Sequence, residues 1–348
     1  MVQISIYYLT FESVIVNYST AVVLVTGGTG FLGSILIKRL IASGVRVRAT
    51  KRESSLVPAD LVGAAGLEWV NADINDFFAL EDVFEGITKV YHCAAKISYH
   101  AADRELLMKV NVEGTANVVT LALERGARLL HVSSIAALGR AKDGQETTES
   151  DLWEFHARQP GYAISKYEAE MEVWRGIAEG LDAVIVNPSL VIGASARMEG
   201  GDSGGAIFSL LHRGLRFYAT GWVGLIDVED VAKAMVLLME NPSVSGERFL
   251  LNNVNMSSKE LLERCSRYLG RPAPQYRATP FLLGIAWRAA YLASLLSGKR
   301  PLLTRETAHS ASSRVRFSNK KLIEVTGMAL KPIDETLREI CITLKKTA

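Results

Sequence analysis

Val22-Val-Leu-Val-Thr-Gly-Gly-Thr-Gly-Phe-Leu-Gly33, followed directly by Ser34-Ile-Leu-Ile-Lys-Arg-Leu-Ile-Ala42, decides the fold. Four apolar residues, mostly β-branched, predict a buried parallel strand. The amphipathic run after Gly33 predicts a helix. Gly27 permits the tight strand-to-helix turn, Gly30 lets a pyrophosphate approach the backbone, and Gly33 lets the helix pack closely on the strand. The helix start adds free N–H groups and the positive end of its dipole. Glycines at this spacing alone describe any tight turn; a strand before and a helix after make the stretch a dinucleotide site.

Length and composition set the frame. At 348 residues the chain can hold one large α/β domain with a smaller appendage, or two domains. Hydrophobic residues at 49% and charged residues at 22% describe an ordinary soluble globular protein. A net charge of +2 gives no argument for nucleic acid. Cys93, Cys265 and Cys341 are too far apart in sequence for a disulfide framework or a metal site, and they point to a reducing cytosol. Cys93, inside Val90-Tyr-His-Cys-Ala-Ala95, reads as a buried strand thiol. Residues 1–20 are apolar and aromatic, with Glu12 their only charge. They lack the basic start and cleavage site of a secretory signal. They read either as a short extra strand, from the alternation of Val2, Ile4 and Ile6, or as a tail outside the domain.

Further along, strands are expected at Gly44–Thr50, Leu67–Asn71, Lys89–His92, Ala127–Val132 and Asp182–Asn187. Helices are expected at Phe78–Glu85, Leu106–Glu124 and Gly161–Glu179. This alternation predicts an α/β fold, a Rossmann-type doubly wound parallel sheet with its strand C-termini on one rim. The Rossmann domain is placed at 21–190 with 222–252 returning to it. A smaller, mainly helical C-terminal substrate lobe takes 191–221 and 253–348. Within these parts, Met198–Gly205 reads as a loop, and Asp227 as the N-cap of a helix Val228–Glu240, with Asp230 sharing the capping. A further helix runs over Ser257–Leu269. Phe281–Leu296 is the most apolar run, at sixteen residues, with Arg288 in its middle. It is shorter than the ~20 residues a bilayer span needs, so a buried or groove-lining helix is expected, with interfacial membrane contact as the lesser option.

The residues that carry chemistry come next. Tyr162-Ala-Ile-Ser-Lys166 sets a phenol and an ammonium on one face of a helix. Ser134 ends a strand upstream, with Ser133 a rival for its place, and Asn111 lies on the helix between. With T-G-G-T-G-F-L-G at 26–33, N-V-E-G-T-A-N-V around Asn111 and S-S-I-A-A-L-G around Ser134, the chain resembles the extended short-chain dehydrogenase/reductase superfamily, the NAD-dependent epimerase/dehydratase family. The resemblance runs from about Ala21 to about Leu344. Dihydroflavonol 4-reductase-like proteins look most similar, and 3β-hydroxysteroid dehydrogenases come next. Arg48–Arg52, Val90–Ala95, Asn187–Gly193 and Pro301–Arg305 carry that likeness.

The resemblance implies an NAD(P)-dependent oxidoreductase acting on a carbonyl or secondary alcohol. Tyr162 is then the acid/base, Ser134 orients the substrate oxygen, and Asn111 holds a water that links Lys166 to solvent. A free phenol titrates near ~10; Lys166 and the oxidised nicotinamide would lower that value. Gly27, Thr29, Gly30, Phe31, Leu32 and Gly33 would hold the pyrophosphate, and Asp73 and Ile74 would lie by the adenine. Ala94, Ala95, Pro188 and Val191, with Tyr162 and Lys166, would line the remaining cofactor path. Lys51 and Arg52, where NAD enzymes carry a carboxylate, favour NADP over NAD, against the neighbouring Glu53. His92 is read as packed or capping rather than catalytic. Ile97, Leu190, Ile207, Phe208, Leu211, Phe217 and Tyr218 are candidates to line a pocket for a fairly apolar small molecule. A homodimer stays open. The alternatives are a nucleotide-sugar epimerase or dehydratase, a bulky-alcohol dehydrogenase, and a dinucleotide sensor without turnover.

Overall fold

A computed structural model describes residues 22–142, 144–156, 159–194, 205–298, 300, 301 and 303–347. The extension 1–20 and most of the expected 198–205 loop lie outside the described residues. The first part runs β1 (Val22–Thr26), α1 (Phe31–Ala42), β2 (Arg46–Lys51), β3 (Leu67–Asn71), α2 (Phe77–Val83) and β4 (Ile87–His92). It continues with α3 (Arg104–Leu107), a π-helical segment Met108–Glu113, α4 (Gly114–Glu124), β5 (Arg128–Val132), β6 (Glu146–Thr147), α5 (Gly161–Ala178) and β7 (Ala183–Pro188). The second part runs β8 (Leu190–Ile192), α6 (Gly205–His212), β9 (Phe217–Ala219), β10 (Trp222–Asp227), α7 (Val228–Glu240), β11 (Glu247–Leu251) and β12 (Val254–Ser257). Then come α8 (Ser258–Leu269), β13 (Tyr276–Ala278), α9 (Pro280–Ser297), α10 (Arg305–Ser310), β14 (Arg316–Phe317), α11 (Lys320–Thr326) and α12 (Ile333–Thr347).

Seven strands form the main sheet in the order β11-β7-β5-β4-β1-β2-β3, and every neighbouring pair is parallel. The order reverses between β1 and β4, the switch point at which such sheets bind ligands. Alternation along β1 shows why its strand reads as one apolar run. Val23 and Val25 enter the core under α1, α7 and α11, and Leu24 enters the opposite core under α2, α4 and α5. Both faces are covered, so Val22–Val25 is apolar throughout, and the polar Thr26 at the strand's end is hydrogen-bonded to His92.

The second lobe departs from expectation in places. β10 joins a separate sheet with β8 and β12, so α7 and β11 are what 222–252 returns to the large domain. Leu322 and Met328, assigned to the substrate lobe by position, pack into the core beside α7. Asp227 caps α7 as expected, accepting the Glu229 N–H at 2.7 Å. Asp230 instead accepts the Lys331 N–H, 2.9 Å away on a segment 101 residues later. Phe208 and Leu211 are core residues packed with α8 and α12, not pocket walls. The largest correction is α9. It has no buried residue, because only Leu283, Gly284, Trp287, Ala290 and Ser294 are even half-buried.

Candidate active site

At the end of β1 the chain turns at Gly27 with φ +69°. A Cβ there would stand 2.7 Å from the Ala94 backbone. One on Gly33 would strike the carbonyl of Gly27, so α1 begins tucked against the turn itself more than against the strand. Gly28, which the sequence reading passed over, is also close-packed, a Cβ there standing 2.9–3.0 Å from the side chains of Ile37, Ala49 and Trp69. Gly30 is the N-cap of α1 and supplies no side-chain cap. The first turn, through Phe31, Leu32 and Gly33, therefore keeps its donors for a ligand, and the cradle fits a pyrophosphate. Thr29 sits half-buried within the turn.

A cleft of ≈ 640 Å³ lies where β2 and β3 end, lined by Arg52, Glu53, Asn71, Asp73 and Asp76 among others. Asp73 is exposed there and accepts the Asn75 N–H at 3.0 Å. Lys51 hydrogen-bonds Oδ1 of Asn71, its partner on the neighbouring strand. Ile74 points inward, 5% exposed, and packs under α4, so its side chain serves the core. Ala94 donates to Thr26 Oγ1 at 3.3 Å beside the exposed Ala95. Pro188 is buried at the end of β7, and Val191 is half-buried in β8.

The four chemical residues converge on the rim at the ends of β4 and β5. Tyr162 stands in the first turn of α5, whose Gly161 N–H is accepted by the Glu306 carboxylate from α10. Its phenol hydrogen-bonds Ser134, and its ring lies 5.7 Å from that of Tyr99. Burial first, then Tyr99, raises the phenol above its ordinary value, and the Ser134 hydrogen bond only partly opposes them. Lys166 is not among the causes of this shift. The Lys166 ammonium is buried and donates to the Val132 carbonyl at 2.8 Å instead. Burial pulls Lys166 down to about 8, opposed by Glu170 and Cys93. Ser133, the rival serine, is committed elsewhere, donating to Glu170 Oε2 at 2.7 Å.

Asn111 sits in the π segment, where the wider turn carries its side chain across to a neighbouring loop and helix. Its Oδ1 accepts the Lys96 N–H at 2.7 Å, and Nδ2 donates to Lys96 O and to Ser165 Oγ, each at 2.9 Å. Both amide hydrogens and one lone pair of the oxygen are used, so the side chain is a strut between the Ala94–Lys96 stretch and α5. Its main-chain oxygen accepts the Thr115 hydroxyl. His92 is packed, as expected, between Thr26 Oγ1 at 2.7 Å and Thr115 Oγ1 at 3.0 Å.

Two groups escaped the sequence reading. Glu170 is completely buried and takes hydrogen bonds from Ser133, Asn187, Trp174 and Arg248. Its place four residues after Lys166 was the available signal. Tyr99 offered none, since its loop reaches Tyr162 only through the fold. That loop is held by Asp103, which accepts from Ser98 Oγ at 2.7 Å and pairs with Arg300 at 2.8 Å.

Comparison with known proteins agrees with this geometry. The NAD dependent epimerase/dehydratase family matches residues 23–252. A Synechocystis sp. protein named for dihydroflavonol 4-reductase activity is 32% identical over 320 residues, covering 90% of this chain and 92% of its own. Sterol demethylase protein B of Methylococcus capsulatus is 33% identical over 267 residues, 76% of this chain and 79% of its own. The crystal structure of gox2253 superposes with a TM-score of 0.79 at 29% identity, covering 94% of this chain and 99% of that one. The chain thus belongs to the NAD-dependent epimerase/dehydratase family of extended short-chain dehydrogenase/reductases, as an oxidoreductase that uses a nicotinamide cofactor.

Proposed function

We propose that the protein is an NADPH-dependent reductase of the carbonyl group of a fairly apolar small molecule. The observation that carries this reading is the Tyr162 phenol set beside Ser134 at the sheet rim, one helical turn before the buried Lys166. A phenol is protonated at neutral pH and can give that proton to a carbonyl oxygen as hydride reaches the carbon, the direction of reduction. When bound, the cofactor supplies the hydride. Ser134 Oγ orients the substrate oxygen beside Tyr162 Oη. Lys166 binds the nicotinamide ribose and, titrating near 8, can return a proton to the phenolate at neutral pH. Arg52 faces the cleft at the end of β2 and offers paired hydrogen bonds to a 2′-phosphate. Relatives named for dihydroflavonol and sterol chemistry support a bulky, weakly polar substrate.

The test is a screen of aryl and polycyclic ketones with NADPH, followed by Tyr162→Phe. The variant should keep NADPH binding and lose about 10²- to 10⁴-fold in kcat. Unchanged turnover by the variant would overturn the mechanism. Tight, saturable binding of uridine or thymidine diphosphate sugars by calorimetry would move the substrate to the epimerase class. Cofactor binding without turnover of any carbonyl would make the protein a sensor.

A further inference from the structure

Helix α9 carries an apolar stripe that faces away from the protein. Phe281, Ile285, Leu292 and Leu296 recur at helical spacing and are 76%, 53%, 61% and 91% exposed. Leu282, Tyr291 and Leu295 border them, also exposed. The helix packs on the body by its opposite side, through Leu283, Trp287, Ala290 and Ser294. The charge around it is one-sided. From Arg271 to Arg305 the chain holds Arg271, Arg277, Arg288, Lys299, Arg300 and Arg305 and no acidic residue, although the whole sequence is nearly balanced at 39 basic to 37 acidic. Arg288 lies within the stripe, between Ile285 and Leu292, and its guanidinium donates to the Gly284 carbonyl at 2.8 Å and stands 4.6 Å from the centre of the Trp287 ring.

We infer that α9 seats the protein on the surface of an anionic lipid bilayer. An apolar face carrying Arg288, long enough to lift its charge to the headgroups, and flanked by the exposed Tyr291 is what an interfacial helix presents to headgroups and upper acyl chains. By length and composition alone the 18-residue helix could cross a membrane, but its attachment at both ends and Arg288 favour lying on one. At one end β13, paired with β9, leads into the helix. Just past the other end Arg300 is tied to Asp103, and α10 follows. Both ends return to the same body, so the helix lies flat. Charge selects lipid over a second copy of the chain, because a symmetric pairing through α9 would bring the exposed Arg277 and Arg288 of two copies onto one face. The helix ends beside the Arg300–Asp103 pair that holds the Tyr99 loop near Tyr162, so an apolar substrate partitioned into lipid would arrive next to the site.

Vesicle co-flotation of the full chain tests this without turnover, so its failure is separate from that of the proposed reaction. The protein should float with vesicles holding about 30% phosphatidylglycerol, not with phosphatidylcholine alone, and should release at about 0.5 M salt. Changing Phe281, Ile285, Leu292 and Leu296 together to Ser should weaken binding at least about a hundredfold. Arg277→Glu with Arg288→Glu should weaken it by about fivefold or more per residue. Since every altered side chain is exposed, thermal midpoints should hold, and they check the fold. Failure of the wild type to bind anionic vesicles would overturn the inference, as would a fourfold Ser variant that binds as well as the wild type. A dimer broken by that variant, with no lipid binding, would assign the stripe to a second copy instead.

Discussion

The Lys166 ammonium donates to the Val132 main-chain oxygen, 2.8 Å away at the last residue of β5, and this bond fixes the buried cation at the rim four residues after Tyr162. Burial costs the charged form most, and the lysine titrates near 8 instead of 10.5. Below about 8 it is an ammonium able to hold ribose hydroxyls; above, it is a weaker neutral donor. NADPH affinity should therefore fall as pH rises through 8, by up to about tenfold per unit. Titrating cofactor fluorescence from neutral to alkaline pH checks this. Lys166→Arg, which stays charged, should flatten the curve, and a flat wild-type curve would remove Lys166 from cofactor binding.

Arg52 should decide the cofactor. It is exposed in the cleft with Glu53 and Asp73, while Lys51 is engaged with Asn71. Arg52→Ala should raise KM for NADPH about tenfold to a hundredfold, about 1–3 kcal/mol in a partly exposed site, and leave NADH nearly untouched. The effect should shrink at high salt. Glu53→Gln, removing the nearest opposing charge, should tighten NADPH. Equal use of both cofactors by the wild type would sink the assignment.

Glu170 and Arg248 should behave as a coupled pair. The carboxylate is fully buried, and the guanidinium reaches it at 2.9 Å. Arg248→Met strands a buried charge and should cost about 3–5 kcal/mol. Adding Glu170→Gln removes that charge, so the double variant should be more stable than Arg248→Met alone. Urea unfolding of all four species measures the coupling; simple additivity would show that the pair does not act as one.

His92 predicts an acid limit to stability. Burial, then Lys166, holds it neutral with a value of about 3 against an ordinary 6.5. As pH falls below 6.5, the unfolded chain accepts a proton that folded His92 refuses. Stability should then drop by about 1.4 kcal/mol per unit from this residue, levelling off near 3. His131, 5.2 Å away ring to ring and also lowered by burial, adds in the same direction. Comparing urea midpoints of the wild type and His92→Asn between neutral and mildly acidic pH should show a shallower slope in the variant. An unchanged slope would mean that His92 protonates freely in the folded state.

By itself the sequence determined the large domain, because its signals are local. A run such as Val22–Val25 has one low-energy use when both faces of a sheet are covered, and the glycines after it are required by backbone approach within a single turn. Tyr162 and Lys166 were legible for the same reason, as one turn of one helix fixes their spacing. What only the tertiary structure decided are the partners brought from far along the chain. Lys166 meets Val132, Asn111 spends its amide on Lys96 and Ser165, and Asp230 serves Lys331 rather than its own helix. The same holds for α9. An apolar pattern in sequence states that a face avoids water, but whether protein covers it depends on what packs there, and in this fold its apolar stripe is left uncovered.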